Sequence, residues 1–336
     1  MIKLVRKFSK DDGAILITVM LTVAIMSVVA VTILEQVGYS IRVSANAEAS
    51  NQARWYALST EDWAQSQLQA LRLDNSDDRQ EQEGGSSGFV GARTSLLIGD
   101  MRVNSSLRPL RNCFNLNSLV SDSETGKDAT NKVALAQFER LMKGLDISGY
   151  VAERVAASTA DWIDPDSETQ PYGAEDYDYS GQVIPHRTGN VPMADVSELR
   201  AIKGVTPALY RQIRPFVCTL PNNKISKINL NTLTSQEAPL IDMLFEEDAI
   251  GSAAEAIISA RPIGGFSDLQ QLLSIPGLAQ FDVDTKGKEN FTLKAQYFVM
   301  TTTVEAKRAY IELRSFFDID GGAEASLIHR HFGDET

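Results

Sequence analysis

Histidine and cysteine are scarce in this 336-residue chain, which has three of one and two of the other. That scarcity excludes a zinc module built on closely spaced Cys/His pairs. His186, His329 and His331 are too scattered to be read as a supported metal site. No GxSxG, HExxH, P-loop or Rossmann fingerprint occurs in a suitable context, so an enzyme is not expected. Positive charge is also in deficit, with 32 Lys and Arg against 44 Asp and Glu and a net charge of −12. Such a chain repels nucleic acid and anionic membrane surfaces.

Charge of either sign is missing from Ala14 to Leu34. A helix of that length spans roughly 31 Å at about 1.5 Å per residue, close to the hydrocarbon thickness of a bilayer. Ahead of it lies MIKLVRKFSKDDG, a polar leader ending in Gly13. A secretory signal has a shorter apolar core with its small-residue cleavage site after the core. Here the only plausible site, Gly13, lies before the run, so cleavage would keep the helix in the mature protein. A plain single-span anchor is the alternative reading, since Lys3, Arg6, Lys7 and Lys10 also fit the positive-inside rule.

Leader, glycine and apolar run together resemble a type IV prepilin. The resemblance implies cleavage after Gly13 by a prepilin peptidase, with Ala14 becoming the methylated N-terminus. Most pilin-like subunits carry glutamate at the fifth mature position, and here that position is Thr18. A carboxylate inside a bilayer costs about 2.5 to 3.5 kcal/mol on insertion scales, and in these filaments the amine of a neighbouring subunit compensates it. A subunit with nothing above it meets no such amine. Thr18 therefore resembles the pattern of the K-type minor pseudopilin of bacterial type II secretion systems.

The helical pattern continues past the membrane run. Ala53, Ala57, Thr60, Ala64, Leu68 and Leu71 recur every three or four residues with Arg54, Glu61, Gln65 and Arg72 between them, giving one helix over 14–73. Trp55, Tyr56 and Trp63 are expected as core anchors on or beside its packing face. The polar, glycine-rich stretch from Asp74 to Gly88 reads as a flexible loop. Met101, Val103, Ser105 and Leu107 alternate with polar residues as in a strand. Two further alternating runs, from Phe291 to Val299 and from Ala309 to Leu313, flank a turn around Val304 to Lys307 and predict a hairpin.

The predicted fold class is α+β, with a long N-terminal helix packed on a small antiparallel sheet. By the resemblance this is a pilin-like fold interrupted by a large, mainly α-helical inserted domain. The expected division is a leader at 1–13, a transmembrane segment at 14–34, the first part of the body at 35–114, the insertion at 115–288, the body's C-terminal strands at 289–318 and a disordered tail at 319–336. The motifs CFNLN (Cys113 to Asn117), DWID (Asp161 to Asp164) and YGAED (Tyr172 to Asp176) follow the leader in the order the family has them. Cys113 and Cys218 read as a disulfide in an oxidising periplasm, two unpaired buried cysteines being the alternative.

Asp161 to Asp178 contains seven carboxylates and neither lysine nor arginine. Hard oxygen ligands on a turn-rich segment suit Ca²⁺. The spacing of Asp164, Asp166, Glu168 and Glu175 partly follows an EF-hand loop, but Thr169 stands where the glycine belongs. The family is known for calcium binding in this region, which implies Asp164, Asp166, Glu168, Glu175 and Asp176 as ligands. Catalytic carboxylates are a poorer reading, because no nucleophile or base accompanies them.

Leu199 to Ile213 and the segments from Ile228 onward contain helix-hairpin-helix-like units. Such units hold phosphates when bases surround them, and here acids surround the second unit, which argues against nucleic acid. The resemblance implies a single-pass inner-membrane protein with its C-terminal domain in the periplasm. It implies a cap on the pseudopilus tip, formed with I-type and J-type minor pseudopilins above the major pseudopilin, that initiates assembly and supports export across the outer membrane. A type IV minor pilin for adhesion or DNA uptake is the alternative.

Overall fold

The computed structural model describes residues 11–76, 91, 93–121, 129–245, 252–275, 278, 289–320 and 324–333. The basic residues of the leader and most of the 74–88 stretch lie outside them.

Helix α1 (Asp11–Ser76) is continuous over 66 residues, about 99 Å at the standard rise, and starts ahead of Gly13. Every residue from 14 to 37 is exposed, and this is a helix long and apolar enough to cross a membrane. The hydroxyls of its apolar run, Ala14 to Leu34, are satisfied within the helix. Thr18 Oγ1 donates to Ile15 O at 2.9 Å, and Thr22, Ser27 and Thr32 make the same kind of bond one turn back. A helix in lipid requires that internal pairing.

Strands β1 (Arg93–Ile98) and β2 (Met101–Pro109) form a hairpin closed at Gly99, whose φ of +63° suits a residue without Cβ. Beyond β2 come short strands β3 (Phe114–Asn115), β4 (Val120–Ser121) and β5 (Ala129–Thr130), then helices α2 (Lys132–Gly144), α3 (Gly149–Ile163), α4 (Asp176–Ser180) and α5 (Pro207–Ile213). Strands β6 (Val217–Cys218) and β7 (Ile228–Asn229), helices α6 (Ala238–Asp242) and α7 (Ser252–Ala260) and strand β8 (Phe291–Thr292) complete this segment. The chain then returns through β9 (Tyr297–Ala306), β10 (Ala309–Asp318) and β11 (Ser326–Phe332). The five long strands form one antiparallel sheet in the order β1-β2-β9-β10-β11.

Ala53, Ala57, Ala64, Leu68 and Leu71 of α1 pack on Val103, Leu107, Met300, Val304, Leu313 and Phe317 of the sheet, as the helical periodicity predicts. Thr60 joins them through its hydroxyl, 2.9 Å from that of Thr302. Trp55 does not, being 72% exposed. At 100° per residue it stands about 200° from Ala53 and Ala57, on the opposite face. Tyr56 and Trp63 flank the seam and are half-buried. Glu61 also departs from expectation, since it is buried against the sheet with Arg330 Nη2 at 2.6 Å and the Ser315 hydroxyl at 2.6 Å.

The C-terminal part of the sheet corrects three expectations. β9 begins at Tyr297 rather than Phe291. Phe291 and Thr292 pair in parallel with Ile228 and Asn229, and Phe291 is buried in the other core, so the alternation seen in sequence spans two unrelated environments. The hairpin turn is Lys307-Arg308, between the paired Ala306 and Ala309, while Val304 is buried within β9. The expected disordered tail contains β11, which pairs with β10 and covers that edge. β1 has no counterpart among the sequence expectations, and it leaves Leu96 and Leu97 exposed, one on each side of the strand.

A second and larger core fills the segment between β2 and β9, drawn from Phe114, Leu116, Phe138, Leu141, Val155, Tyr179, Leu240 and their neighbours. CFNLN ties it together. Asn115 Nδ2 donates to the carbonyls of Asn222 and Lys224, and its Oδ1 accepts from Leu220 N–H. Asn117 Nδ2 donates to Met193 O and Leu220 O and its Oδ1 accepts from Met193 N–H. These buried amides satisfy loop backbone that would otherwise be orphaned. Cys113 and Cys218 form a disulfide beside them, with Cα atoms 5.7 Å apart.

Candidate metal centre

Helix α3 is buried along most of its length and delivers two acids at its C-terminal end. Asp161 lies in its last turn and Asp164 is its C-cap. Carboxylates are disfavoured there, because the unpaired carbonyls of a helix C-terminus already carry partial negative charge. The next turn brings in the rest. Gln170 O accepts from Gly173 N–H at 2.9 Å, with Pro171 and Tyr172 between them and Tyr172 at φ +69°. This turn folds the chain back so that Ala174 and Glu175 lie over α3.

Asp161 is fully buried and accepts from Gln170 N–H at 3.3 Å. Gly173 presses against it, and a Cβ there would overlap the Asp161 carboxylate. Asp164, Asp166 and Glu175 converge, each offering a carboxylate oxygen within 4.8 Å of the others. Asp164 and Glu175 are almost completely buried, and Asp164 Oδ1 and Glu175 Oε1 have no hydrogen-bond partner. Burial, helped by the repulsion of neighbouring carboxylates, pushes Asp161 and Asp164 up to about 7. Burial also raises Glu175, against the bond it accepts from Thr188.

Three of the five ligands expected from sequence thus meet. Glu168 is exposed, and its backbone N–H caps Asp166 Oδ1 at 2.8 Å. Asp176 turns to Thr188, accepting from its N–H and hydroxyl at 2.9 Å each, and to Arg187 at 3.9 Å. The Thr188 bonds hold its carboxyl below the usual carboxylate range. Asp161 lies buried beside this group and is not among the expected ligands; its place in DWID, on a helix stretch from Val155 to Ile163 without other charge, is the available signal. An all-oxygen, multiply anionic set with orphaned buried oxygens fits a hard divalent cation such as Ca²⁺.

Two of the bases near the helix-hairpin-helix-like units are committed elsewhere. Arg261 Nη1 donates to the carbonyls of Leu230, Asn231 and Leu233, and Lys203 pairs with Asp178. Those contacts are structural.

The family model described as type II secretion system (T2SS), protein K, matches residues 112–222 in its first domain and 228–294 in its second. The type II secretion system protein K of Klebsiella pneumoniae is 30% identical over 326 residues, covering 96% of this chain and 97% of that one. The protein of the same name from Pectobacterium carotovorum is 29% identical over 331 residues, covering 97% of each. A chain in the crystal structure of the GspK-GspI-GspJ complex from the enterotoxigenic Escherichia coli type 2 secretion system aligns with a TM-score of 0.70 and 27% identity. That alignment covers 85% of this chain and 97% of the other. With both family domains in place and similarity running almost end to end, the chain belongs to the type II secretion system protein K family.

Proposed function

We propose that this chain is a minor pseudopilin that caps the periplasmic pseudopilus of a type II secretion system, together with I-type and J-type minor pseudopilins. The observation that carries the reading is the second core between β2 and β9, larger than the core of the helix-sheet body and inserted into its sheet. A subunit with so large an insertion cannot lie beneath another copy in a closely packed filament, so it belongs at the end. Thr18 is consistent with that place, since its hydroxyl is satisfied by its own helix and requires nothing from a subunit above.

In this account the leader is removed after Gly13 and Ala14 is methylated by the prepilin peptidase. The apolar part of α1 holds the subunit in the inner membrane before assembly and packs among major pseudopilin helices afterwards. The body and insertion, with the helix-hairpin-helix-like pairs as packing units, stand in the periplasm. The role is structural, in starting the filament and supporting export, and requires no catalytic group. The co-crystallised relative supports the choice of partners.

Ca²⁺ would be held by Asp164, Asp166 and Glu175, with Asp161 behind them. Bound there it supplies positive charge that offsets carboxylates which, among the described residues, no lysine or arginine pairs with. Because folded geometry gathers the ligands, ion binding and folding of this segment are linked.

The test mixes the region from Ser44 onward with the I-type and J-type periplasmic domains and measures complex mass, first with Ca²⁺ and then with chelator. A one-to-one-to-one complex with Ca²⁺ supports the capping role. Absence of any complex in both conditions rejects it.

A further inference from the structure

The secretion reading makes no use of the two histidines on β11. His329 and His331 are two residues apart on a strand and therefore share one face. Arg330 between them points the other way and reaches Glu61 of α1. The histidines thus face away from α1, toward the segment inserted between β2 and β9, where Asp195 meets them.

We propose that Asp195, His329 and His331 form a site for a divalent transition metal of the Zn²⁺ class, which clips the edge strand of the sheet to the inserted segment. One ligand atom from each of the three residues lies within 4.8 Å of the others. His331 Nδ1 and Asp195 Oδ2 are 4.0 Å apart. That is beyond a direct hydrogen bond and within a small closing movement of two atoms sharing one ion at about 2.0 to 2.2 Å each. Asp195 is held in place from its other oxygen, since Oδ1 accepts from Ser197 N–H at 2.8 Å. An outer contact of this kind orients a metal-ligating carboxylate.

His329 supplies an independent observation. Its Nε2 is buried and has no hydrogen-bond partner. A buried polar atom left unpaired is costly and calls for a partner such as an ion. Two imidazoles and one carboxylate are a borderline-soft donor set, suited to Zn²⁺, Co²⁺ or Ni²⁺ and unsuited to Ca²⁺, which takes oxygen ligands only. Both cysteines of the chain are tied in the disulfide, so no thiolate competes for the ion. Three protein ligands leave a coordination position for water.

The experiment uses the full chain in detergent, stripped with chelator and titrated with Co²⁺. The expected result is one equivalent of Co²⁺ with visible absorption bands more intense than those of the hexa-aquo ion, displaced stoichiometrically by Zn²⁺. His331→Ala and His329→Ala should abolish the bands and weaken Zn²⁺ by about 100-fold or more, beyond the loss typical of an outer-shell partner. The double variant Asp164→Asn/Glu175→Gln should keep them, which separates this site from the acidic centre. No enhanced absorption in the wild-type chain, or bands unchanged in His331→Ala, would overturn the proposal. Should the variants not fold, X-ray absorption of the Zn²⁺-loaded wild type decides alone. Two imidazoles with no sulfur support the site, and fewer than two imidazoles sink it.

Discussion

Gly173 lies against the Asp161 carboxylate so closely that a single added carbon would occupy the same space. The contact makes a backbone turn the lid of a buried acid. It also explains why the YGAED and DWID motifs act as one unit: one supplies the carboxylates at the end of α3 and the other covers them. Gly173→Ala must displace either the turn or the acid. An overpacked core site typically costs about 1–3 kcal/mol, and the ligand cluster would be displaced with it. Urea unfolding and Ca²⁺ titration of the variant should show lower stability and weaker binding together. Unchanged values in both would remove the role given to this contact.

The titration of the same centre has a definite sign. Asp161 and Asp164 are raised from ordinary carboxylate values to about 7 in the folded protein. Between roughly pH 4 and 7 the folded state therefore holds more protons than the unfolded chain. Stability contributed by these groups falls as pH rises through that window and is level above it. In chelator, the melting temperature should be higher near pH 5 than near pH 7.5, and Ca²⁺ should remove most of the difference by replacing the protons. A metal-free protein that grows more stable from pH 5 to 7.5 would contradict this.

Glu61 and Arg330 connect α1 to the last strand. Glu61 is buried while Arg330 is about half exposed, so the pair is partly screened. Arg330→Ala strands a buried carboxylate and should cost about 2–3 kcal/mol. Replacing both residues should cost less than the sum of the single changes, because the stranded charge goes with its partner. A double-mutant cycle by urea denaturation measures this coupling, and strict additivity would argue against it.

Cys113 and Cys218 close a loop of 105 residues around the first part of the insertion. Cys113→Ser/Cys218→Ser should lose about 2–4 kcal/mol, because an unfolded chain without the crosslink regains its conformational freedom. Differential unfolding under non-reducing conditions would show it as a lower midpoint, and an unshifted midpoint would count against it.

The long-range frame was legible in sequence because its signals are periodic. Ala53 to Leu71 and Met101 to Leu107 repeat at 3.6 and 2 residues, and the faces so marked are the buried ones. Hydrophobicity alone suggests Trp55 as a core anchor, although its angular position sets it opposite Ala53, and it is exposed. In sequence Glu61 is simply one of the polar residues between the apolar positions, because its partner, Arg330, lies 269 residues away and no local pattern reports such a pair. The run from Phe291 reads as one strand because two short segments in different cores alternate in phase. Ser326 to Phe332 alternates, but its histidines and arginine give a strand no clear apolar face. At the acidic centre the residue types were legible, yet which carboxylates converge depended on the turn at Tyr172, where a non-glycine residue adopts a positive φ. Sequence offered no reason to place Asp195 beside His329 and His331.

The central claim concerns position in a filament, and position can be seen directly. Assembled pseudopili carrying a small label on the inserted segment, at an exposed residue such as Val183, should be imaged by electron microscopy. The account predicts one label per filament, at one end. Labels distributed along the filament, or none associated with it, would contradict the account.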